Sequence, residues 1–151
     1  MPTDVSEKQL ETILVNYLRD VQGYEQGVSD DYSKDYALDT ARVKRFLLST
    51  QKQKVENTGC FASEISERKF FMELAKQLAN RGVTDVLRKG FRFISELFDM
   101  YYPLPSELNP TAQELYIKNI FCVTRQLFYS KENQNSIDVM ISMNGPPLMT
   151  L

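Results

Sequence analysis

The stretch SIDVMISMNGPPLMTL, residues 136–151, decides how this chain folds. Ile137, Val139, Ile141 and Met143 alternate with Asp138, Met140 and Ser142, the period of a strand with one buried face. Asn144-Gly145 is a turn dipeptide, and Leu148-Met149-Thr150-Leu151 begins a second apolar strand. Just upstream, IFCVTRQLFYS (120–130) is rich in β-branched and aromatic residues and reads as another strand, with SKENQN (130–135) as a polar turn. The C-terminal part is therefore an antiparallel run of at least three strands. It halts inside a hydrophobic hairpin, and an Asp stands on its first strand.

Helical patterns fill the chain before this run. Ser6 is a candidate N-cap with Gln9 three residues on, and Leu10, Ile13, Leu14, Tyr17, Leu18 and Val21 follow at helical spacing up to Gly23. Glu11 falls at the margin of that apolar stripe. YEQGVSDDYSKDYALD (24–39) is polar and acidic without a period and reads as a loop. Asp39 can cap a helix burying Val43, Phe46 and Leu47, and QKQKVENTG (51–59) reads as its polar exit. Ser63 or Ser66 opens a third helix with Phe70, Phe71, Leu74 and Leu78 inward and Gly82 as its stop. Thr84 is the candidate cap of a short helix through Leu87. FRFISELFDMYYPLP (91–105) resists assignment, but its dense aromatics read as core, because no basic residues interleave after Arg92. Asn109-Pro110 is an N-cap followed by an N1 proline, opening a short helix to about Lys118.

Composition narrows the chemistry. The 151 residues are 42% hydrophobic and 25% charged, one domain's worth of ordinary globular chain. The net charge of −2 is not that of a protein attaching to nucleic acid or anionic membrane by charge alone. Histidine is absent, which excludes imidazole-based triads and HExxH zinc sites. Cys60 and Cys122 are isolated, and with no signal-like N-terminus they predict reduced thiols and a cytoplasmic location.

Any catalysis then falls to carboxylates, amines or hydroxyls, and Asp138 stands out because Asp is disfavoured in strands. Two readings are open: its face of the strand is wet, or it binds a hard cation such as Mg²⁺ for phosphodiester hydrolysis.

TRQLFYSKENQNSIDVMISMNGPPLMTL (124–151) resembles the N-terminal region of the R (restriction) subunit of type I restriction–modification enzymes. The resemblance extends back through ELNPTAQELYIKN (107–119), GVTDVLRKG (82–90) and LRDVQGYE (18–25), so it spans nearly the whole chain. It rests on LRKG, on N-x-F-x-V-x-RQL, and on S-I-D with the NG-x-P-L turn.

The resemblance implies an α/β fold in α+β order, the front part of a PD-(D/E)xK nuclease core. Asp138 matches the family's strand Asp as catalytic residue and metal ligand, and the E-x-K of the next strand would fall just beyond Leu151. The 151 residues are thus expected to form a single, incomplete nuclease domain of a longer subunit, inactive alone. Many such nucleases add an acidic residue from the first core helix, which makes Glu11 a second metal-ligand candidate, with a solvated glutamate as the other reading. Arg125 and Gln126 lie in a family motif and stay outside the catalytic set. The implied cofactors are Mg²⁺ at the nuclease site and ATP in translocase domains elsewhere in the full protein. The implied partners are double-stranded DNA and the modification and specificity subunits. The competing reading is a non-catalytic interaction module that docks a partner through FRFISELFDMYY (91–102).

Overall fold

A computed structural model describes the backbone of residues 2–106, 108–128 and 136–150, and side chains within 7–106, 108–127 and 137–150. The fold is α+β. In chain order its elements are α1 (Pro2–Asp20), β1 (Glu25–Gly27), α2 (Thr40–Thr50), α3 (Lys52–Thr58), α4 (Glu64–Arg81) and α5 (Val83–Lys89). Then follow β2 (Phe91–Phe93), β3 (Glu96–Phe98), α6 (Pro110–Tyr116), β4 (Phe121–Phe128), β5 (Ser136–Met143) and β6 (Pro147–Thr150). β1-β4-β5-β6 form one sheet and β2-β3 a second. The turn expected over SKENQN lies outside the described residues.

Several boundaries follow from local chemistry. The Asp39 carboxylate accepts from the Arg42 N–H at 3.0 Å to cap α2, Ser63 accepts from Ser66 N–H at 3.2 Å to cap α4, and Asn109 accepts from Ala112 N–H at 3.1 Å to cap α6. Val43, Phe46 and Leu47 of α2 and Phe70, Phe71 and Leu74 of α4 are buried as the spacing predicts. Phe70 is the hub of the main core, with edge-to-face contacts to Phe61, Phe71, Phe91, Phe93 and Phe98. The rings of Phe91 and Phe98 are therefore interior, and the 91–102 segment does not offer them to a partner.

Other expectations are corrected. The first helix begins at Pro2, with proline in its first turn, so Ser6 lies inside it and is not its cap. The fourth short helix starts at Val83 after Gly82, ahead of Thr84. QKQKVENTG is not an exit but the helix α3, anchored by buried Val55 and by Gln51, whose amide bonds the backbone of Asp99 in both directions at 2.7 Å. The 24–39 loop contains β1, which pairs in parallel with β4. No apolar period marks these three residues. What admits them is Gly27, where a Cβ would stand 2.7 Å from Thr124 Oγ1 and 2.8 Å from Cys122 Sγ.

The antiparallel run β4-β5-β6 is as expected, and its turn is set by two residues with positive φ, Asn144 (57°) and Gly145 (109°). Asn144 is fully buried. Its side-chain oxygen accepts from Ile120 N–H at 2.6 Å, and its amide donates to the Met100 carbonyl at 2.9 Å and to Asn119 Oδ1 at 3.0 Å. Gly145 sits against the start of α2, its carbonyl accepting from Asp39 N–H at 3.0 Å. A Cβ there would meet Val43 Cγ2 at 2.1 Å and Asp39 O at 2.8 Å, far inside contact distance.

Gly145→Val should therefore destabilise the domain by about 3 kcal/mol or more, combining left-handed strain with overpacking against Val43. Denaturant melts of the variant and parent measure this. A difference under about 1 kcal/mol would mean that the turn can lift away from α2 at little cost.

Candidate active site

Alternation along β5 and the strand register divide the four-stranded sheet into two faces. Val123, Ile141 and Val139 form a small cluster with Val15 of α1, flanked by Leu18 and Tyr24. This is the face that α1 covers. Arg125, the register partner of Val139, shares it and donates to Glu11 Oε2 at 3.3 Å and to Thr12 Oγ1 at 3.1 Å. Asp138, one residue from Val139, belongs to the opposite face and is exposed.

The structure does not bring Glu11 and Asp138 to one point. Glu11 instead ties α1 to β4 through its ion pair with Arg125. The helix has turned to allow this. Its inward side carries Glu11, Leu14, Val15 and Leu18, while Leu10, Ile13, Tyr17 and Val21, expected inside, are at least half exposed. An exposed apolar residue forfeits burial energy, but the sheet face below α1 is narrow and carries an arginine that needs a carboxylate.

Around Asp138 the ladder is irregular. Arg125 pairs with Val139 and Leu127 with Ile137, which leaves Gln126 opposite Asp138 and out of register pairing. Gln126 has φ +50°, a left-handed backbone that is rare for a non-glycine residue within a strand. Strain of this kind gathers at functional sites. The sequence motif contained Gln126, but nothing in its type or spacing signalled the backbone conformation. On the other side, β6 pairs Thr150 with Met140 and Met149 with Ile141. If β6 continues in that register, the position two residues past Thr150 stands directly across from Asp138.

Further along the same face lies an ionic network. Glu25 and Gly27 pair in register with Cys122 and Thr124, and Arg42 of α2 reaches in to bond Asp39, Asp31 and Glu25 at 2.7–3.1 Å. Burial counts against the charge of Arg42, but its bonds to Asp39 and Asp31 overrule this and keep it firmly protonated. Burial pushes the Asp31 carboxyl up, yet the Val28 N–H and the Arg42 guanidinium outweigh it and hold it below its ordinary range. Glu25 is likewise lowered, with Arg45 and Arg42 prevailing over burial. Burial pushes the Cys122 thiol up, so it is a protonated core residue rather than a ligand or nucleophile. The three carboxylates are thus committed to arginines, and among the described residues no group of three acidic, Cys or His side chains could hold a metal. Asp138 is exposed and has no ion pair with any described residue. One carboxylate with water and phosphate oxygens suits Mg²⁺, and a second carboxylate from the next strand would fix it.

A family model, described as the type I restriction enzyme R protein N terminus, matches residues 4–151. The chain belongs to that family. It is the N-terminal region of a type I restriction enzyme R subunit, and the family places it in a restriction complex. No curated protein and no solved structure matches it significantly. No helix among the described residues is long and apolar enough to cross a membrane.

Two measurements test the site's frame. Gln126→Gly should raise the unfolding free energy by up to about 1 kcal/mol, because glycine tolerates the left-handed backbone. A lower denaturation midpoint would mean that Gln126 contacts outweigh the strain. The Arg42 network should show in acid. Carboxyls held below their ordinary pKa add stability that is complete above about pH 5 and lost as pH falls further. The melting temperature of the parent should therefore drop more steeply below about pH 5 than that of Asp31→Asn. Parallel curves would mean that Asp31 contributes nothing to the pH dependence.

Proposed function

We infer that this domain is the nuclease end of the R subunit, of the PD-(D/E)xK type, and that Asp138 is its first catalytic carboxylate. The observation that supports the reading is an exposed aspartate on β5 with no ion pair to any described residue, in a register that, continued past Thr150, would set the Glu of the family's E-x-K pattern across from it. Asp138 and that Glu would hold Mg²⁺, which when bound polarises the scissile phosphate and makes an attacking water more acidic.

The chain's own contribution is placement. β5 lies between β4 and β6, and the pairs Arg125–Val139 and Leu127–Ile137 hold the strand on both sides of Asp138. Its face is open to solvent there, which leaves room for a duplex to approach. The left-handed Gln126 lies alongside and frees a backbone position from the ladder. Glu11 has no part in holding the ion in this reading, since its carboxylate is engaged by Arg125 across the sheet.

In the full subunit the reaction is endonucleolytic cleavage of double-stranded DNA in the cytoplasm, coupled to ATP-driven translocation by other domains. The modification and specificity subunits would supply sequence recognition. Asp138→Ala in the full-length subunit, assembled with those partners, should abolish DNA cleavage while DNA-stimulated ATP hydrolysis continues. Melting temperature should change little, because an exposed carboxylate contributes little to folding. If ATP hydrolysis and cleavage disappear together at an unchanged melt, Asp138 couples domains and is not the nuclease ligand.

A further inference from the structure

Away from the four-stranded sheet, the outer side of α4 and the β2-β3 hairpin enclose an open groove of about 830 Å³. Lys69 and Lys76 line one wall, seven residues and so roughly 10.5 Å apart along the same helix face. Arg92 of β2 stands on the other wall. Most other cations of this helical layer have partners: Lys44 pairs with Glu67, Lys54 with Asp99, and Arg81 and Lys89 with Asp85. Lys69, Lys76 and Arg92 form no ion pair with any described residue. The groove lining also holds the carboxylate of Glu73, which accepts a bond from Gln77, so three cations face one anion and the lining stays net positive.

Between the cations the surface is apolar. Met72 is 58% exposed and Ile94 68% exposed, beside the half-buried Phe93. Ile94 occupies the hairpin turn with φ +56°, a left-handed conformation that a β-branched side chain takes only under strain. Glycine or asparagine would relieve that turn at once. Instead the chain holds an isoleucine there and points it at solvent.

We propose that this groove docks an acidic amphipathic segment of a protein partner, with carboxylates on Lys69, Lys76 and Arg92 and an apolar side between them on Met72, Phe93 and Ile94. The two lysines match acidic residues two turns apart on a helix, and the apolar floor matches the positions between them. A DNA duplex fits less well. Its backbone would leave Met72 and Ile94 uncovered. The proposal is independent of Asp138 and rests only on the domain's place in a multi-subunit assembly.

The test uses the full-length subunit assembled with its partner subunits and DNA. A photoreactive benzophenone side chain is placed at position 94 or 72, and crosslinked peptides are mapped by mass spectrometry. The expected product joins the groove to a segment with carboxylates at helical spacing around apolar residues. Lys69→Glu combined with Lys76→Glu should cut the yield roughly tenfold, as loss of two ion pairs would, without moving the melting temperature. Exchanging the mapped carboxylates for lysines should restore it. A crosslink to DNA, a crosslink to a segment lacking carboxylates, no crosslink at either position, or a yield indifferent to charge reversal would each overturn the proposal. Asp138→Ala subunits should crosslink normally, so failure here is distinct from failure of the nuclease reading.

Discussion

Everything in the sheet hangs on the Asn144-Gly145 turn. In most hairpins such a turn projects into water, and its residues matter only for their backbone angles. Here it is the deepest point of the strand pair. The Asn144 side chain substitutes for a strand, satisfying the Ile120 N–H at the start of β4 and the Met100 carbonyl beyond β3. Gly145 lets α2 come close enough for Asp39 to use the turn carbonyl. The same Asp39 caps α2 and holds Arg42, so one turn fixes the hairpin to the helical core and orients the ionic network. A buried amide with both ends bonded contributes specificity as well as stability, because any shift of register leaves it unsatisfied.

The sheet's two faces then acquire different roles. The face under α1 is apolar except where Arg125 meets Glu11, and its function is to hold the first helix in place. The other face is polar: Arg42 gathers Glu25, Asp31 and Asp39, and further along the strands stand Gln126 and Asp138. Pairing three carboxylates to arginines keeps them from competing for a cation, whereas Asp138 has no ion pair among the described residues. That distinction supports the nuclease reading more directly than the number of acidic residues could. Strain at Gln126, at the point where the ladder opens beside Asp138, fits a surface shaped for something other than maximal stability.

The helical layer is a second unit of construction. Phe70 collects rings from α4, from the residue-61 turn and from both strands of the small hairpin, and this aromatic cluster joins α4 to β2-β3, with Val55 of α3 in the same core. Because those rings face inward, what remains outside on the hairpin is a smaller set: Ile94, Arg92 and the edge of Phe93. An exposed apolar residue alone is ordinary, but one held in a strained turn, beside cations that have no ion pair among the described residues, is not.

The sequence by itself determined what depends on neighbours a few residues away. The caps at Asp39 and Asn109 bond N–H groups three residues on, so spacing sufficed to locate the starts of α2 and α6, and it narrowed the start of α4 to Ser63 or Ser66. The same holds for the alternation of β5 and for the positive φ at Asn144-Gly145. Tertiary structure decided the rest, because the deciding atoms are distant in the chain. β1 exists because Gly27 can lie against Thr124, and α3 because Gln51 reaches Asp99. The rotation of α1, which exposes Leu10, Ile13, Tyr17 and Val21, follows from Arg125, over a hundred residues away, drawing Glu11 onto the sheet. Periodicity shows which residues share a helix face. It does not show what lies beneath that face: Glu11 meets Arg125 under α1, while Asp138 stands on the opposite face of the sheet.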